Sequence, residues 1–160
     1  MSGKKKIVCV SGGFDPLHAG HIRLIKEARR LGNALVVILN NDNWLLQKKK
    51  FVFMKEKERK EVLEALRNVD RVVISSHKKG TGDTSVSAEL KRIKPSVFAN
   101  CGDRKSEKDI PEAAICRKLR IKMVFNIGKG GKIQSSSSLA KKVIGALSNV
   151  RGYPQSKRKI

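Results

Sequence analysis

The chain has 160 residues, enough for one domain with a substantial core. Its 36 Lys and Arg against 14 Asp and Glu give a formal charge of +22, a field that attracts polyphosphates, nucleic acid or other acidic partners. No run of about 18 apolar residues is present, which excludes an apolar membrane span. Three cysteines without metal-ligand spacing argue against a disulfide framework or a zinc site.

Residues 1–6 are basic, but the apolar run behind them is too short for a signal peptide, so a reduced, cytoplasmic setting is expected. Residues 4–10 predict a buried first strand. It runs into Gly12, Gly13, Phe14 and Asp15, and then into His18-Ala19-Gly20-His21 at the start of a helix over 20–31, where Ile22, Leu24, Ile25 and Ala28 recur at helical spacing. Gly12 and Gly13 let backbone N–H groups come close to a ligand. The helix start adds unpaired N–H donors and the positive end of a dipole. His18 and His21 stand one turn apart on the same side. Together these features suit a phosphate chain.

Gly32-Asn33 stops that helix, and the continuous apolar run 34–39 predicts a strand covered on both faces. Residues 40–43 then form a polar turn at the carboxyl end of the strand, where ligands collect in open parallel sheets. Residues 44–54, with Lys48, Lys49 and Lys50 ahead of Phe51-Val52-Phe53, read as a flexible basic loop. A helix is expected over 55–68 with Val62, Leu63, Leu66 and Val69 on its inner face, followed by a strand at 71–75 and a loop at 76–85. A short helix over 86–93 stops before Pro95. A fourth strand at 97–100 ends at Cys101-Gly102-Asp103-Arg104. Residues 111–119 predict a helix with Pro111 in its first turn, 121–127 a fifth strand, 128–132 a second Gly-rich loop, and 135–147 a last helix that its serines can cap. Strands alternating with helices predict a three-layer α/β sandwich around a five-stranded parallel sheet. One domain is expected over 1–148, with a basic tail over 149–160.

The Gly-rich turn and His-x-Gly-His pattern resembles the signature of the cytidylyltransferase-like nucleotidyltransferases, and the resemblance extends over about 7–139. It implies a Rossmann-like fold and transfer of a nucleoside monophosphate, from CTP in preference to ATP, to a small phosphorylated acceptor, such as glycerol phosphate or a sugar phosphate. Pyrophosphate is released. FAD synthetase-type adenylyl transfer is the alternative within the family. Such chemistry needs positioned donors and cations rather than a strong base, because a phosphate acceptor is already anionic.

By this resemblance His18 and His21 bond the triphosphate, with charge-assisted bonds if either is protonated. Backbone donors of Gly12, Gly13 and Phe14 assist them, Gly20 completes the signature, and Asp15 serves positioning or Mg²⁺ binding. Lys48, Lys49 and Lys50 all qualify as the family's phosphate-contacting lysine, with Lys48 or Lys49 preferred. The stretch 129–138 resembles the family's Arg-Thr-x-Gly-Ile-Ser-Thr segment, with Lys129 at the arginine and Ser135, Ser136 and Ser137 as phosphate-binding hydroxyl groups. Gly102, Asp103 and Arg104 match a segment near the base, ribose or acceptor, and Arg59 matches an arginine associated with the dimer. Mg²⁺ and a homodimer are implied in the same way. A competing reading is a nucleic-acid-binding protein on this fold, using Phe51 and Phe53 among the bases of 48–57 and the basic tail.

Overall fold

Two apolar runs form the centre of the molecule. In the computed structural model, which describes residues 5–101, 104–128 and 135–148, they are β1 (Ile7–Gly12) and β2 (Ala34–Leu39). They pair in parallel from Ile7 opposite Ala34 to Gly12 opposite Leu39. Their side chains alternate between two separate cores, as the two-residue period of a strand requires. Val8, Val10, Leu35, Val37 and Leu39 pack with Leu24, Ile25 and Ala28 of α1 (Ala19–Arg29) and Leu63 of α3 (Glu56–Glu64). Cys9, Val36 and Ile38 face the other way, onto Leu90 of α4 (Ser87–Ile93) and Ala113 and Cys116 of α5 (Ala113–Lys118). Burial on both faces makes a three-layer sandwich, and each fully buried Leu or Val contributes about 1.5–3 kcal/mol to it.

The remaining strands are β3 (Arg71–Ile74), β4 (Val97–Cys101) and β5 (Lys122–Ile127), and all pairings are parallel in the order β3-β2-β1-β4-β5. Strand order reverses at β1, so the carboxyl ends of β1 and β4 open a crevice at the point where such sheets bind ligands. The last helix, α6 (Ser136–Ser148), follows β5. No helix among the described residues is long and apolar enough to cross a membrane. The expected tail over 149–160 lies outside the described residues.

Two expectations need correction. The stretch read as a flexible basic loop is largely helical: α2 spans Asp42–Lys49. The polar run before it is a helix start, with the Asn41 side chain accepting from the Trp44 N–H at 3.0 Å. Only Leu45 of α2 is buried, so no apolar stripe announced the helix. Second, α3 is shorter than expected, and its inner face carries Arg59 and Leu63, four residues apart, while Val62 is 39% exposed. Arg59, which the resemblance associates with the helix after the basic loop and with the dimer, has its guanidinium enclosed within its own chain.

Candidate active site

The site begins where the first helix is capped. The Gly20 N–H donates to His18 Nδ1 at 3.1 Å, and the His18 N–H donates to His21 Nδ1 at 3.3 Å. These two bonds satisfy orphan donors at the start of α1 and lock both rings over it. Gly20 is required here, because a Cβ at that position would stand 2.9 Å from His18 Cε1 and 3.0 Å from its Nδ1. The rings stack with centroids 3.8 Å apart, and Phe14 packs its ring against His21 at 4.9 Å.

The hydrogen bonds assign the tautomer. With each Nδ1 accepting a backbone N–H, a neutral imidazole carries its proton on Nε2 and presents it as a donor. Charge on the rings is disfavoured. Burial, then His18, then Lys49 push the His21 pKa down to about 3. Burial and Lys49 also lower that of His18. The expectation of a charge-assisted imidazolium therefore gives way, for His21 above all, to a pair of neutral N–H donors; a second cation beside Lys49 costs too much.

Positive charge comes from Lys49 instead. It lies in the last turn of α2, half-buried, with Nζ 3.4 Å from the Asp15 backbone carbonyl. Burial lowers its pKa, Asp15 raises it in part, and Arg59 lowers it further. Lys48 is exposed on the same turn and is not drawn into this cluster. Of the lysines that the sequence left open, Lys49 is the one whose ammonium lies against the His-bearing turn.

Asp15 is wholly buried, and both its carboxylate oxygens are engaged: Oδ2 accepts the Phe53 N–H at 2.7 Å and Oδ1 the Met54 N–H at 2.8 Å. It fastens the segment after α2 to the His-bearing turn. In this structure it positions backbone, and each of its oxygens accepts one N–H. Among the described residues no cluster of three or more His, Cys, Asp or Glu side chains is placed to hold a metal ion.

Arg59 does the corresponding work below. Its Nη1 donates to the Gly13 and Asn40 carbonyls, both at 2.7 Å, its Nε to the Met54 carbonyl at 2.8 Å, and its Nη2 to Asp42 Oδ1 at 2.7 Å. One side chain thus joins the Gly turn, the end of β2, the start of α2 and the segment after it. A polar network braces α2 from the other flank. The Asn41 N–H donates to Ser75 Oγ at 3.0 Å, Ser75 meets His77 Nδ1 at 2.7 Å, and Trp44 Nε1 donates to the Thr84 carbonyl at 3.0 Å. Sequence reasoning missed both sets. The one available signal was the position of Arg59 four residues before Leu63, on a face that otherwise points inward.

The second expected motif comes to the same place. Ser136 is buried at the start of α6, and its hydroxyl donates to the Pro16 carbonyl at 3.1 Å, two residues from His18. Ser135 Oγ accepts the Ser138 N–H at 3.1 Å and so caps the helix. Ser137 is exposed at the same end. The Gly128 N–H donates to Glu27 of α1 at 2.8 Å, which holds the end of β5 against the first helix. The starts of α1 and α6 therefore come together, joined by the bond from Ser136 to the Pro16 carbonyl, and both turn the positive end of a helix dipole to the same place. Arg104 stands at its β4 side, with Nη1 bonded to Asn100 Oδ1 at 3.3 Å. Gly102, Asp103 and Lys129 lie outside the described residues.

Comparison with known proteins shows the family. The sequence model of the family described as Cytidylyltransferase-like matches residues 9–128. The chain is 41% identical over 113 residues to a FAD synthase of Thermococcus kodakarensis, covering 65% of this chain and 72% of that protein. It is 44% identical over 68 residues to the glycerol-3-phosphate cytidylyltransferase of Bacillus subtilis, covering 42% of this chain and 53% of that one. Among solved structures, a lipopolysaccharide core biosynthesis protein from Thermoplasma volcanium superposes with a TM-score of 0.64 at 27% identity, over 80% of this chain and all of that one.

Proposed function

Because the chain belongs to the cytidylyltransferase-like family, we propose that it is a nucleotidyltransferase that moves the adenylyl group of ATP to flavin mononucleotide, releasing pyrophosphate. The observation that carries the reading of nucleotidyl transfer is the neutral imidazole pair. Each ring has its Nδ1 committed to the helix start and its Nε2–H left for a ligand, beside Lys49 and the start of α6. The choice of acceptor is supported by the likeness to FAD synthases.

In the reaction an oxygen of the acceptor's phosphate attacks the α-phosphorus of the triphosphate. A new O–P bond forms, the bond to the bridging oxygen breaks, and its electron pair leaves with pyrophosphate. His18 and His21 donate through Nε2 to the oxygens that gain charge, preorganised by their backbone bonds so that little reorganisation is needed. Lys49 supplies the fixed cation. The start of α6, with Ser135 and Ser137, holds the β- and γ-phosphates. Ser136 spends its hydroxyl on the turn that carries His18. Mg²⁺ arrives on the triphosphate as part of the substrate.

A panel of ATP and CTP crossed with flavin mononucleotide, glycerol 3-phosphate and a sugar 1-phosphate, read by pyrophosphate release and chromatography, tests this. The expected product is FAD from ATP and flavin mononucleotide. CDP-glycerol as the main product would reverse the choice of substrates, and it is the second reading because of the 44% identity to a glycerol-3-phosphate cytidylyltransferase. Loss of pyrophosphate release from every pair would end the enzymatic reading.

A further inference from the structure

Two large apolar side chains stay in water beside the cationic centre. Phe53 is 56% exposed and Leu46 49% exposed. Covering a side chain of this size with an apolar ligand is favourable, so a ring held in place beside a cation can act as a binding surface. Phe53 is fixed. Its N–H is held by the buried Asp15 carboxylate at 2.7 Å, and the next residue is tied at both ends, its N–H to Asp15 and its carbonyl to Arg59. Leu46 lies three residues before Lys49, on the same side of α2, and its carbonyl accepts the Lys50 N–H at 3.1 Å. Lys49 in turn reaches the carbonyl of Asp15. An apolar ledge and a cation are thus built from one set of bonds.

The sheet order places this ledge. It belongs to segments that follow β2, whereas Arg104 and Asn100 stand at the end of β4, and β1 lies between them. A product with two ring systems joined through phosphates needs a seat for each ring, one on either side of the switch point. We infer that Phe53, held through Asp15 next to Lys49, is the stacking seat for the isoalloxazine ring of flavin mononucleotide, and that Phe53 determines acceptor specificity. The inference rests on the acceptor assigned above. The cation adjoining the ledge suits an acceptor that carries a planar ring on a phosphate tail, and the β4 side is left for the adenine.

The test varies flavin mononucleotide at saturating ATP and measures FAD formation by the full chain carrying Phe53→Ala, Phe53→Trp or no change. Stacking of a planar ring on an aromatic side chain contributes about 1–3 kcal/mol, so Phe53→Ala should raise the KM for flavin mononucleotide about 5- to 150-fold. The kcat and the KM for ATP should stay within about twofold, because Phe53 touches neither triphosphate nor histidine in this assignment. Phe53→Trp should restore the KM. Quenching of flavin fluorescence on binding should be present in the parent and in Phe53→Trp and absent in Phe53→Ala. The exposed ring leaves no cavity when removed, so the melting temperature should not move. An unchanged KM for flavin mononucleotide in Phe53→Ala, or a rise in the KM for ATP instead, overturns the inference while FAD synthesis stands. Absence of FAD formation by the parent chain overturns both.

Discussion

Gly20→Ala should separate catalysis from stability. A Cβ at this position would lie 2.9 Å from His18 Cε1 and 3.0 Å from Nδ1, so the imidazole must swing off the helix start. The 3.1 Å bond from the Gly20 N–H is then lost. Loss of a helix cap costs about 0.5–2 kcal/mol, and alanine in place of glycine in a helix returns about 0.5–1 kcal/mol. The net effect on stability is about 1 kcal/mol or less, equivalent to about 2–4 °C in Tm for a chain of this size. The effect on rate is much larger. Misplacing one preorganised donor by an ångström costs about 100-fold. Pyrophosphate release and thermal melting measured on the same sample should therefore show kcat down about 100-fold with the fold intact. If Gly20→Ala retains the parent kcat, or loses activity only in proportion to unfolding, the capped-histidine account is wrong.

Other perturbations act at defined points. Arg59→Ala leaves the Gly13, Asn40 and Met54 carbonyls without their donor and Asp42 without its partner, and should cost about 3–5 kcal/mol in urea unfolding. Ser136→Ala removes a single neutral hydrogen bond to the Pro16 carbonyl and should cost about 1 kcal/mol, while raising the KM for the triphosphate. The pH dependence follows from His21, whose folded pKa of about 3 lies below its unfolded value near 6.5. The unfolded chain binds the proton first, so His21 contributes stability fully above about pH 6.5 and loses it progressively as pH falls toward about 3, by at most about 1.4 kcal/mol per pH unit. Unfolding measured across that range should flatten in His21→Asn. The depressed pKa of Lys49 predicts the opposite limb, a rise in the KM for triphosphate at alkaline pH, earlier than an ordinary lysine would give, and Lys49→Arg should remove it.

The fold was largely legible because its strands carry a plain signal. The runs through Val8, Val10, Leu35, Val37 and Leu39 are apolar at every position, as only a doubly covered strand requires, and both layers followed from them. His18 and His21 were legible because their spacing repeats a helical turn behind a glycine bend. What the residues do to each other was less so. That both Nδ1 atoms face the backbone, and that the rings are therefore neutral donors, depends on cap geometry that no spacing encodes. The helix α2 was hidden because its one buried side chain, Leu45, makes no periodic pattern, and its run of lysines looked like a solvated loop. The bracing done by Arg59 was not legible, because spacing alone does not show that a guanidinium is sealed inside and bonded to the Gly13, Asn40 and Met54 carbonyls, while Asp15 spends its carboxylate on the neighbouring Phe53 and Met54 N–H groups.

The account depends on one triphosphate being held by the starts of two helices that are distant in sequence. A crystal structure with a non-hydrolysable ATP analogue tests this directly. The α-phosphate should lie within hydrogen-bond distance of Nε2 of both His18 and His21, with Lys49 alongside and the β- and γ-phosphates at the N–H groups that open α6. A triphosphate bound elsewhere, or imidazoles that meet it through Nδ1, would contradict it.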